Sequence, residues 1–368
     1  MSAPRLEIDI DKIRDNARML VERLARKGIA VTGVTKAVVG CPEIARAMLD
    51  AGASGIGDSR VDNLEAMWRE GIEARMTLLR SPMLSQVGRV VESADVSFNT
   101  EIEVLSALSG AAGKAKRTHG VVLMVELGDL REGIMPGDLD RTVRETLRLP
   151  NITLRGIGTN LACHSGVSPD AGNMLELSLL AEAIETRFGL VLDVVSGGNS
   201  ANLGWALNGG DAGRIDDLRL GEAILLGRDP LHRERIDGLH TDAIGLVAEV
   251  IESKVKPSRP WGEIGQSAFG DAPAVLARGE MARTLLAIGH QDTDPAGLRP
   301  PAGLRILGAS SDHLILSSGR HRLAIGSEIR LEVNYSALVR AMASKFVAKA
   351  YRGIASNRRA AAGRVGSA

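Results

Sequence analysis

Short strand-like and helix-like segments alternate from residue 5 to about residue 228, and this alternation constrains the fold most. The strand-like stretch RLEIDI and an amphipathic helix ending at Gly28 come first. Eight strand candidates follow: AVTGVTKA (30–37), SGIGDS (54–59), RMTLLRS (75–81), DVSFN (95–99), HGVVLMVELG (119–128), ITLRGIGTNLA (152–162), LDVVSGGNS (192–200) and DLRLGEAILLG (217–227). Alternating β and α units imply a parallel sheet, and eight units in about 200 residues predict an α/β fold of the (β/α)8 TIM-barrel type. A doubly wound sheet would show an early G-x-G-x-x-G turn, and none follows the first strand.

The pattern changes after about residue 230. Stretches such as HTDAIGLVAEVIESKVKP and HRLAIGSEIRLEVNY alternate apolar and polar residues, which is typical of antiparallel strands. The end of the chain, SNRRAAAGRVGSA, is small, basic and aperiodic. We therefore predict a barrel over residues 1–229, a mostly β domain over 230–353 and a disordered tail over 354–368.

The charge balance and the cysteines exclude several classes of protein. Lys plus Arg and Asp plus Glu number 45 each, so there is no electrostatic reason to expect nucleic acid or an anionic membrane as a partner. Cys41 and Cys163 form no C-x-x-C pair, and scattered histidines suggest no metal site. The N-terminus does not resemble a secretory signal, and no apolar run approaches the roughly 18 residues that span a bilayer. We expect a cytoplasmic protein.

Polar residues at the carboxyl ends of the barrel strands are the candidates for chemistry, because active sites gather there in TIM barrels. Lys36 lies in the apolar stretch VTGVTKAVVG and either extends to water or acts as a functional amine. The turn SGGNSAN (196–202) offers backbone N–H groups and a hydroxyl that suit a phosphate, or it is a capped turn. Arg219, inside an apolar strand, belongs to a structural ion pair or is a donor fixed for a ligand. An amine, a phosphate site and an arginine at one barrel mouth together suggest pyridoxal 5′-phosphate.

Several motifs, weak singly but specific in their order and spacing, carry a family resemblance over about residues 5–350. They are GVTKAVVG, GDSRVDNL, ELGDLREGI, GTNLAC, SGGNSANL, RIDDLRLGEAILLG, KPSRPWGEIGQSAFG and GASSDHLIL. The chain resembles the fold-type III pyridoxal-phosphate enzymes of the alanine racemase family and is most similar to the ornithine racemase branch. The resemblance implies a cofactor-carrying barrel, a C-terminal β domain and a head-to-tail homodimer with active sites completed across the interface.

The resemblance also implies roles for individual residues. Lys36 matches the lysine that forms the Schiff base, and Arg219 matches the arginine at the pyridine nitrogen. Arg131 matches the arginine beside the phenolic oxygen of the cofactor. The remaining cofactor-binding candidates are Asn160, Ser200, Gly221, Glu222 and Tyr335, the last of which matches a phosphate-binding tyrosine or is a strand-edge aromatic.

Three positions depart from alanine racemases. Asn160 stands where histidine is usual, and Val39 stands near a usual tyrosine. His290, in AIGHQDTD, occupies the position of the catalytic tyrosine that the second subunit supplies. We predict that His290 is the second acid/base and that Asp292 orients its ring. The alternative is that His290 is a solvent-exposed loop histidine.

Racemisation needs a base on one face of the α-carbon and an acid on the other. The resemblance implies a racemase of ornithine or another basic amino acid, with Lys36 and His290 on the two faces. Ser311, Asp312 and Asp292 are the expected substrate contacts, although the acids are equally typical of turns. The alternatives are an alanine or broad-specificity racemase, a D-amino-acid aldolase on the same fold, and a non-catalytic pyridoxal-phosphate-binding protein.

Overall fold

The computed structural model describes residues 2–209, 211–269, 279–319 and 321–353, so the tail predicted at 354–368 lies outside the described residues. The chain forms two compact units. One runs from Lys12 to Thr241, and the other combines the residues before Lys12 with those after Thr241. Strand β1 (Arg5–Asp9) opens the chain, and helix α1 (Ile10–Ala25) leads into the first unit.

A closed barrel of parallel strands forms the first unit, which confirms the predicted fold class. Its strands are β2 (Ala30–Val34), β3 (Gly55–Asp58), β4 (Met76–Leu78), β5 (Val96–Asn99), β6 (His119–Val125), β7 (Ile152–Thr159), β8 (Val194–Asn199) and β9 (Asp217–Leu220). Its further helices are α2 (Pro42–Asp50), α3 (Val61–Arg69), α4 (Val87–Ser93), α5 (Ile102–Lys114), α6 (Pro136–Thr146), α7 (Ala171–Phe188), α8 (Leu203–Asn208) and α9 (Glu222–Leu226).

The first and last barrel strands are neighbours. Strand β9 pairs with β2 in parallel, with Thr32 opposite Arg219, and this pairing closes the barrel. Part of the interior is filled by a cluster of Val96, Phe98, Val122 and Met124 from β5 and β6. The closure makes β2, which leads to Lys36, the neighbour of β9, which carries Arg219.

The second unit is mostly β, as predicted. Its later elements are β10 (Ile244–Pro257), β11 (Glu280–Leu286), β12 (Leu298–Arg299), β13 (Arg305–Ala309), β14 (Leu314–Ser317), β15 (Glu328–Val333), α10 (Tyr335–Ala343) and β16 (Ala348–Arg352). Antiparallel pairing joins β12, β15, β10, β11, β14 and β13 in that order.

The structure differs from the sequence-based division at the start of the chain. Strand β1 pairs antiparallel with β10 and parallel with β16, so it belongs to the β unit and not to the barrel. Leu6 and Ile8 are fully buried on one face of β1. The physical reason is that β2 to β9 already close on themselves, and a closed barrel leaves no edge for a further strand. Residues 230–241 group with the barrel.

Within the described ranges, no helix combines the length and the apolar character that crossing a membrane requires.

Candidate active site

Lys36 stands directly after the first barrel strand, at the start of a short 3-10 turn, Lys36–Val38. The preceding Thr35 is fully buried, whereas Lys36 is exposed. The turn is closed by two left-handed residues, Val39 with φ 54° and Gly40 with φ 64°. A Cβ on Gly40 would lie 2.7 Å from the Cβ of Asn63, so glycine is required there. The backbone of Lys36 is thus fixed while its side chain is exposed at the barrel mouth.

A buried carboxylate, Asp58 at the end of β3, anchors this turn. Thr35 Oγ1 donates to one oxygen of Asp58 at 2.8 Å, and Asn63 Nδ2 and the Arg60 N–H donate to the other at 2.9 and 3.0 Å. Burial raises the pKa of the Asp58 carboxyl, and the bonds from Thr35 and Asn63 oppose that rise. Asp58 was missed as a site residue, although it lies in the quoted motif GDSRVDNL.

Arg219 lies inside the barrel on β9 and is only 4% exposed. Its Nη1 donates to Ser196 Oγ at 2.6 Å and to the Ser196 carbonyl at 3.4 Å, and its Nη2 donates to the Thr159 carbonyl at 2.7 Å and to Asn160 Oδ1 at 2.6 Å. The guanidinium carbon lies 5.1 Å from the ring centroid of Phe98. Among the described residues the Nε–H has no hydrogen-bond partner, so one donor of a rigidly held guanidinium is left for a ligand.

The charge of Arg219 is compensated within the barrel. Asp217, two residues earlier on the same strand and 5% exposed, accepts hydrogen bonds from Thr32 Oγ1 at 2.7 Å and from Ser196 Oγ. Burial lowers the pKa of Arg219, and the charge of Asp217 is the largest of the effects that oppose it. Asp217 and Ser196 were also missed from the sequence, because no local pattern distinguishes them from ordinary strand residues.

Asn160 connects Arg219 to a second arginine. Its Oδ1 faces the guanidinium of Arg219, and its Nδ2 donates to Glu132 Oε1 at 2.9 Å. Glu132 in turn pairs with the guanidinium of Arg131 through both of its oxygens. The amide therefore serves as a bridge between a cation and a carboxylate, which accounts physically for an asparagine at the position where the family usually has histidine.

Glu126 holds the loop that carries Arg131. This carboxylate, 8% exposed, accepts backbone N–H bonds from Gly128 at 2.6 Å, Leu130 at 3.0 Å and Arg131 at 3.2 Å. Leu130 adopts a left-handed conformation with φ 53°. Three backbone N–H groups of the loop after β6 thus donate to the buried Glu126 carboxylate, and these bonds set the position of Arg131.

Asp129 joins this loop to the one after β7. Its carboxylate, fully buried, accepts the backbone N–H of His164 and of Ser165 at 3.0 Å each. Its carbonyl accepts from Ser165 Oγ at 2.7 Å. Because these bonds link residues more than thirty positions apart in the chain, sequence reasoning did not find them.

The predicted phosphate site lies where β8 and β9 end. Ser200, 4% exposed, accepts the backbone N–H of Gly221 at 3.4 Å and of Ala223 at 3.2 Å. The turn before it is fixed by Asn202 Oδ1, which accepts the Asn199 N–H at 3.0 Å. The Ser200 hydroxyl and the two N–H groups that it accepts thus lie together at the first turn of α9, and the hydroxyl keeps its own proton to donate. Such a set of donors is suited to an anion.

Glu222 follows Gly221 and pairs with Arg233. Burial raises the pKa of its carboxyl, while the charges of Arg233 and Lys36 act in the opposite direction. Glu222 thus lies between the two residues whose N–H groups contact Ser200, and its own side chain is directed to Arg233.

In the β unit, His290 is partly buried and stacks on Phe269, with ring centroids 4.1 Å apart. The backbone N–H of His290 donates to the Ser310 carbonyl at 3.0 Å. Asp292, which we expected to orient His290, instead accepts Ser344 Oγ at 2.7 Å. The reason is local: the turn that begins at Gly289 directs the carboxylate toward the residues after α10.

The expected substrate contacts Ser311 and Asp312 lie in the turn between β13 and β14. Asp312 accepts from His313 Nδ1 at 2.8 Å and from Ser311 Oγ at 3.2 Å, and the bond from His313 holds the pKa of Asp312 below its ordinary value. Tyr335 is the first residue of α10, so it is not a strand-edge residue.

Comparison with known proteins agrees with this geometry. Residues 8–229 match the family model described as alanine racemase, N-terminal domain, so the chain belongs to the alanine racemase family. It is 39% identical over 350 residues to the ornithine racemase of Acetoanaerobium sticklandii, covering 94% of this chain and 99% of that protein. It is 37% identical over 354 residues to the lysine racemase of Thermotoga maritima, covering 95% and 99%. The crystal structure of alanine racemase from Streptomyces lavendulae shares the fold, with a TM-score of 0.73 at 20% identity over 96% of this chain and 98% of that one.

Proposed function

We propose that the protein is a pyridoxal-phosphate-dependent racemase that interconverts the L and D enantiomers of ornithine or another basic amino acid. The observation that carries the proposal is the pair of neighbouring strands β2 and β9. The first leads through Thr35 to the exposed residue Lys36, and the second carries the buried guanidinium of Arg219 with its Nε–H still available.

The donor set fits pyridoxal phosphate. Lys36 would hold the aldehyde carbon through Nζ, and Ser200 with the N–H groups of Gly221 and Ala223 would bind the phosphate. Arg219 would donate its Nε–H to the ring nitrogen. Arg131 would lie beside the phenolic oxygen, as the family resemblance implies. When bound, the cofactor supplies an electron sink for the electron pair left when the substrate loses its α-proton.

The residues of the chain then divide the proton transfers. The Lys36 amine removes or returns the α-proton on one face of the substrate. Arg219 donates a hydrogen bond to the ring nitrogen without giving up a proton, because a guanidinium stays protonated in proteins. By leaving the ring nitrogen unprotonated, Arg219 would weaken the electron sink and so limit side reactions such as transamination.

The opposite face requires a second group, and we propose His290 of a partner subunit. Imidazole titrates near neutrality and can donate or accept the proton. The proposal includes the head-to-tail homodimer that the family resemblance implies. Co-expression of Lys36→Ala and His290→Phe subunits tests it, because each mixed dimer would keep one of its two sites intact. With random pairing about half of the dimers are mixed, so the preparation should show about a quarter of wild-type activity. Activity no higher than that of either variant alone would contradict a shared site.

The substrate class is supported by the two racemase relatives that match almost the whole chain. A distal ammonium calls for a carboxylate, and Asp312 is an exposed acid in a hairpin turn of the β unit. Ser311 and Asp292 complete the proposed substrate contacts, with Asp292 acting through Ser344. The cytoplasmic location stays a prediction from the sequence.

Incubation with single enantiomers of ornithine, lysine and alanine, followed by chiral chromatography, tests the activity. We expect ornithine or lysine to racemise with the highest kcat/KM, and Lys36→Ala to be the matched inactive control. A preference for alanine by ~100-fold, about 2.7 kcal/mol, would contradict the proposed substrate class. Release of an aldehyde from D-threonine without racemisation would indicate the aldolase alternative.

A further inference from the structure

A cavity of about 220 Å³ lies inside the barrel beneath the proposed cofactor site. It extends from Arg219 to residues at the amino-terminal ends of β4, β5 and β8, namely Arg75, Asp95 and Asp193. Asp217 is part of its wall. Arg219 is therefore contacted from the interior of the barrel by Ser196, as well as from the end of β7 by Thr159 and Asn160.

The hydroxyl of Ser196 links Asp217 to Arg219. The period of two in a strand puts both residues on the inner face of β9. Each oxygen of Asp217 accepts a hydroxyl from a flanking strand, Thr32 on β2 and Ser196 on β8. Ser196 has one proton to give, and because it donates that proton to Asp217, its oxygen is free to accept Nη1 of Arg219 at 2.6 Å.

We propose that Asp217 is a positioning residue of the active site, which through Ser196 holds the Arg219 guanidinium so that its Nε–H is directed at the ring nitrogen of the cofactor. The inference rests on the proposed function because it assumes that pyridoxal phosphate binds in this barrel. It adds a residue that does not itself touch the cofactor or the substrate.

The carboxylate acts in two ways. As a buried anion it balances a buried cation, and an unbalanced guanidinium in the same place would be strongly disfavoured. As an acceptor with no proton of its own it fixes which way the Ser196 hydroxyl points. An amide at residue 217 would remove the charge and could also donate to Ser196, so Nη1 would lose its fixed acceptor. The guanidinium would then be held mainly through Nη2, and its Nε–H would be directed less firmly at the ring nitrogen.

The experiment measures two quantities for each cofactor-depleted protein. One is its dissociation constant for pyridoxal phosphate, from absorbance titration, and the other is its thermal midpoint. The variants are Asp217→Asn, Ser196→Ala and the double variant, with Asp216→Asn as the matched control. Asp216 precedes Asp217 but accepts the Val195 N–H, so its replacement removes a neighbouring charge without touching Arg219. Asp217→Glu restores the charge, and the cavity beside residue 217 has room for one more methylene.

We expect Asp217→Asn and Ser196→Ala each to raise the dissociation constant by ~10-fold, and the double variant by no more than the larger single effect, because the two residues act in one chain. Asp216→Asn should change it by less than ~2-fold, and Asp217→Glu should recover most of the affinity. A purely structural role would lower the thermal midpoint and leave the dissociation constant unchanged.

Three results would overturn the inference. They are an unchanged dissociation constant in a folded Asp217→Asn protein, multiplicative effects in the double variant, or an equal loss in Asp216→Asn. If Asp217→Asn does not fold, the milder Ser196→Ala decides the question by the same criterion. A wild-type protein that does not bind pyridoxal phosphate would instead contradict the proposed function.

Discussion

The barrel mouth and the turns of the β unit hold their candidate residues in different ways. In the barrel, Arg219 and Asp217 are at most 5% exposed, and each makes two or more hydrogen bonds to other strands. In the β unit, Asp312 is exposed and bonds to Ser310, Ser311 and His313, all within two residues.

This difference indicates that the two regions have different roles. Residues fixed by buried, long-range bonds suit an invariant partner such as a cofactor, because any misplacement costs affinity. Residues on exposed turns suit the part of the substrate that varies between relatives, because they can change without unfolding the protein. We therefore expect large effects in the barrel and smaller, substrate-dependent effects in the β unit.

The largest effect is expected for Lys36→Ala. Loss of the amine removes both the covalent attachment and the base on one face, so kcat should fall by ~10⁴-fold or more. Because Lys36 is exposed, the thermal midpoint of the depleted protein should stay within about 2 °C of wild type. Borohydride reduction and peptide mapping of the wild type should place the pyridoxyl adduct on Lys36, and an adduct on a different lysine would refute the assignment.

Burial in the barrel also predicts a pH dependence of stability. Desolvation, assisted by the charge of Arg117, lowers the pKa of His119 to about 4. The unfolded chain has the ordinary value near 6.5, so it binds a proton first, and folding stability present above about pH 6.5 is lost as the pH falls toward about 4. Between pH 7 and pH 4.5 the loss should be on the order of 2 to 3 kcal/mol.

The free energy of unfolding of His119→Gln, measured with urea at pH 7 and at pH 4.5, should lack the part of the decrease that comes from protonation of His119. The exposed His232 provides the control, because His232→Gln should keep the wild-type pH dependence. Equal losses in wild type and His119→Gln would mean that His119 is not the group responsible.

On the other side of the comparison, His290→Phe should slow racemisation by ~10²-fold, the usual worth of a positioned acid/base. Phenylalanine keeps the ring that stacks on Phe269, so the fold and the cofactor content should be unchanged. Exchange of the α-hydrogen should persist for the enantiomer whose proton faces Lys36. If both enantiomers still racemise at wild-type rates, His290 is not the second acid/base.

The smallest effect is expected for Asp312→Asn. An exposed charge at a turn discriminates weakly, so kcat/KM for ornithine should fall by ~3-fold while that for alanine stays the same. Asp294→Asn is the matched control on a neighbouring turn, because Asp294 accepts Ser336 Oγ and the Ala296 N–H. If kcat/KM falls equally for ornithine and alanine, Asp312 does not contribute to substrate selection.

Local patterns in the sequence predicted the barrel strands, because each strand carries its own run of buried residues and its own turn. They also predicted Lys36 and Arg219, because a charged residue at the end of or within an apolar strand is visible without knowledge of neighbours. Asp217, Glu132 and Asp129 were not predicted, since their roles depend on partners brought close only by the fold. The membership of β1 in the β sheet was hidden for the same reason, because its partners lie more than two hundred residues away.

The placement of β1 between β10 and β16 has a consequence for the order of folding. Pairing Arg5 with Ala348 closes a loop of roughly 340 residues, which costs about 5 kcal/mol of chain entropy. During synthesis the segment that forms the barrel emerges long before β16, so the barrel can form first. Strand β1 is therefore made long before either of its partner strands, and Leu6 and Ile8 stay exposed to solvent or chaperones at least until β10 follows.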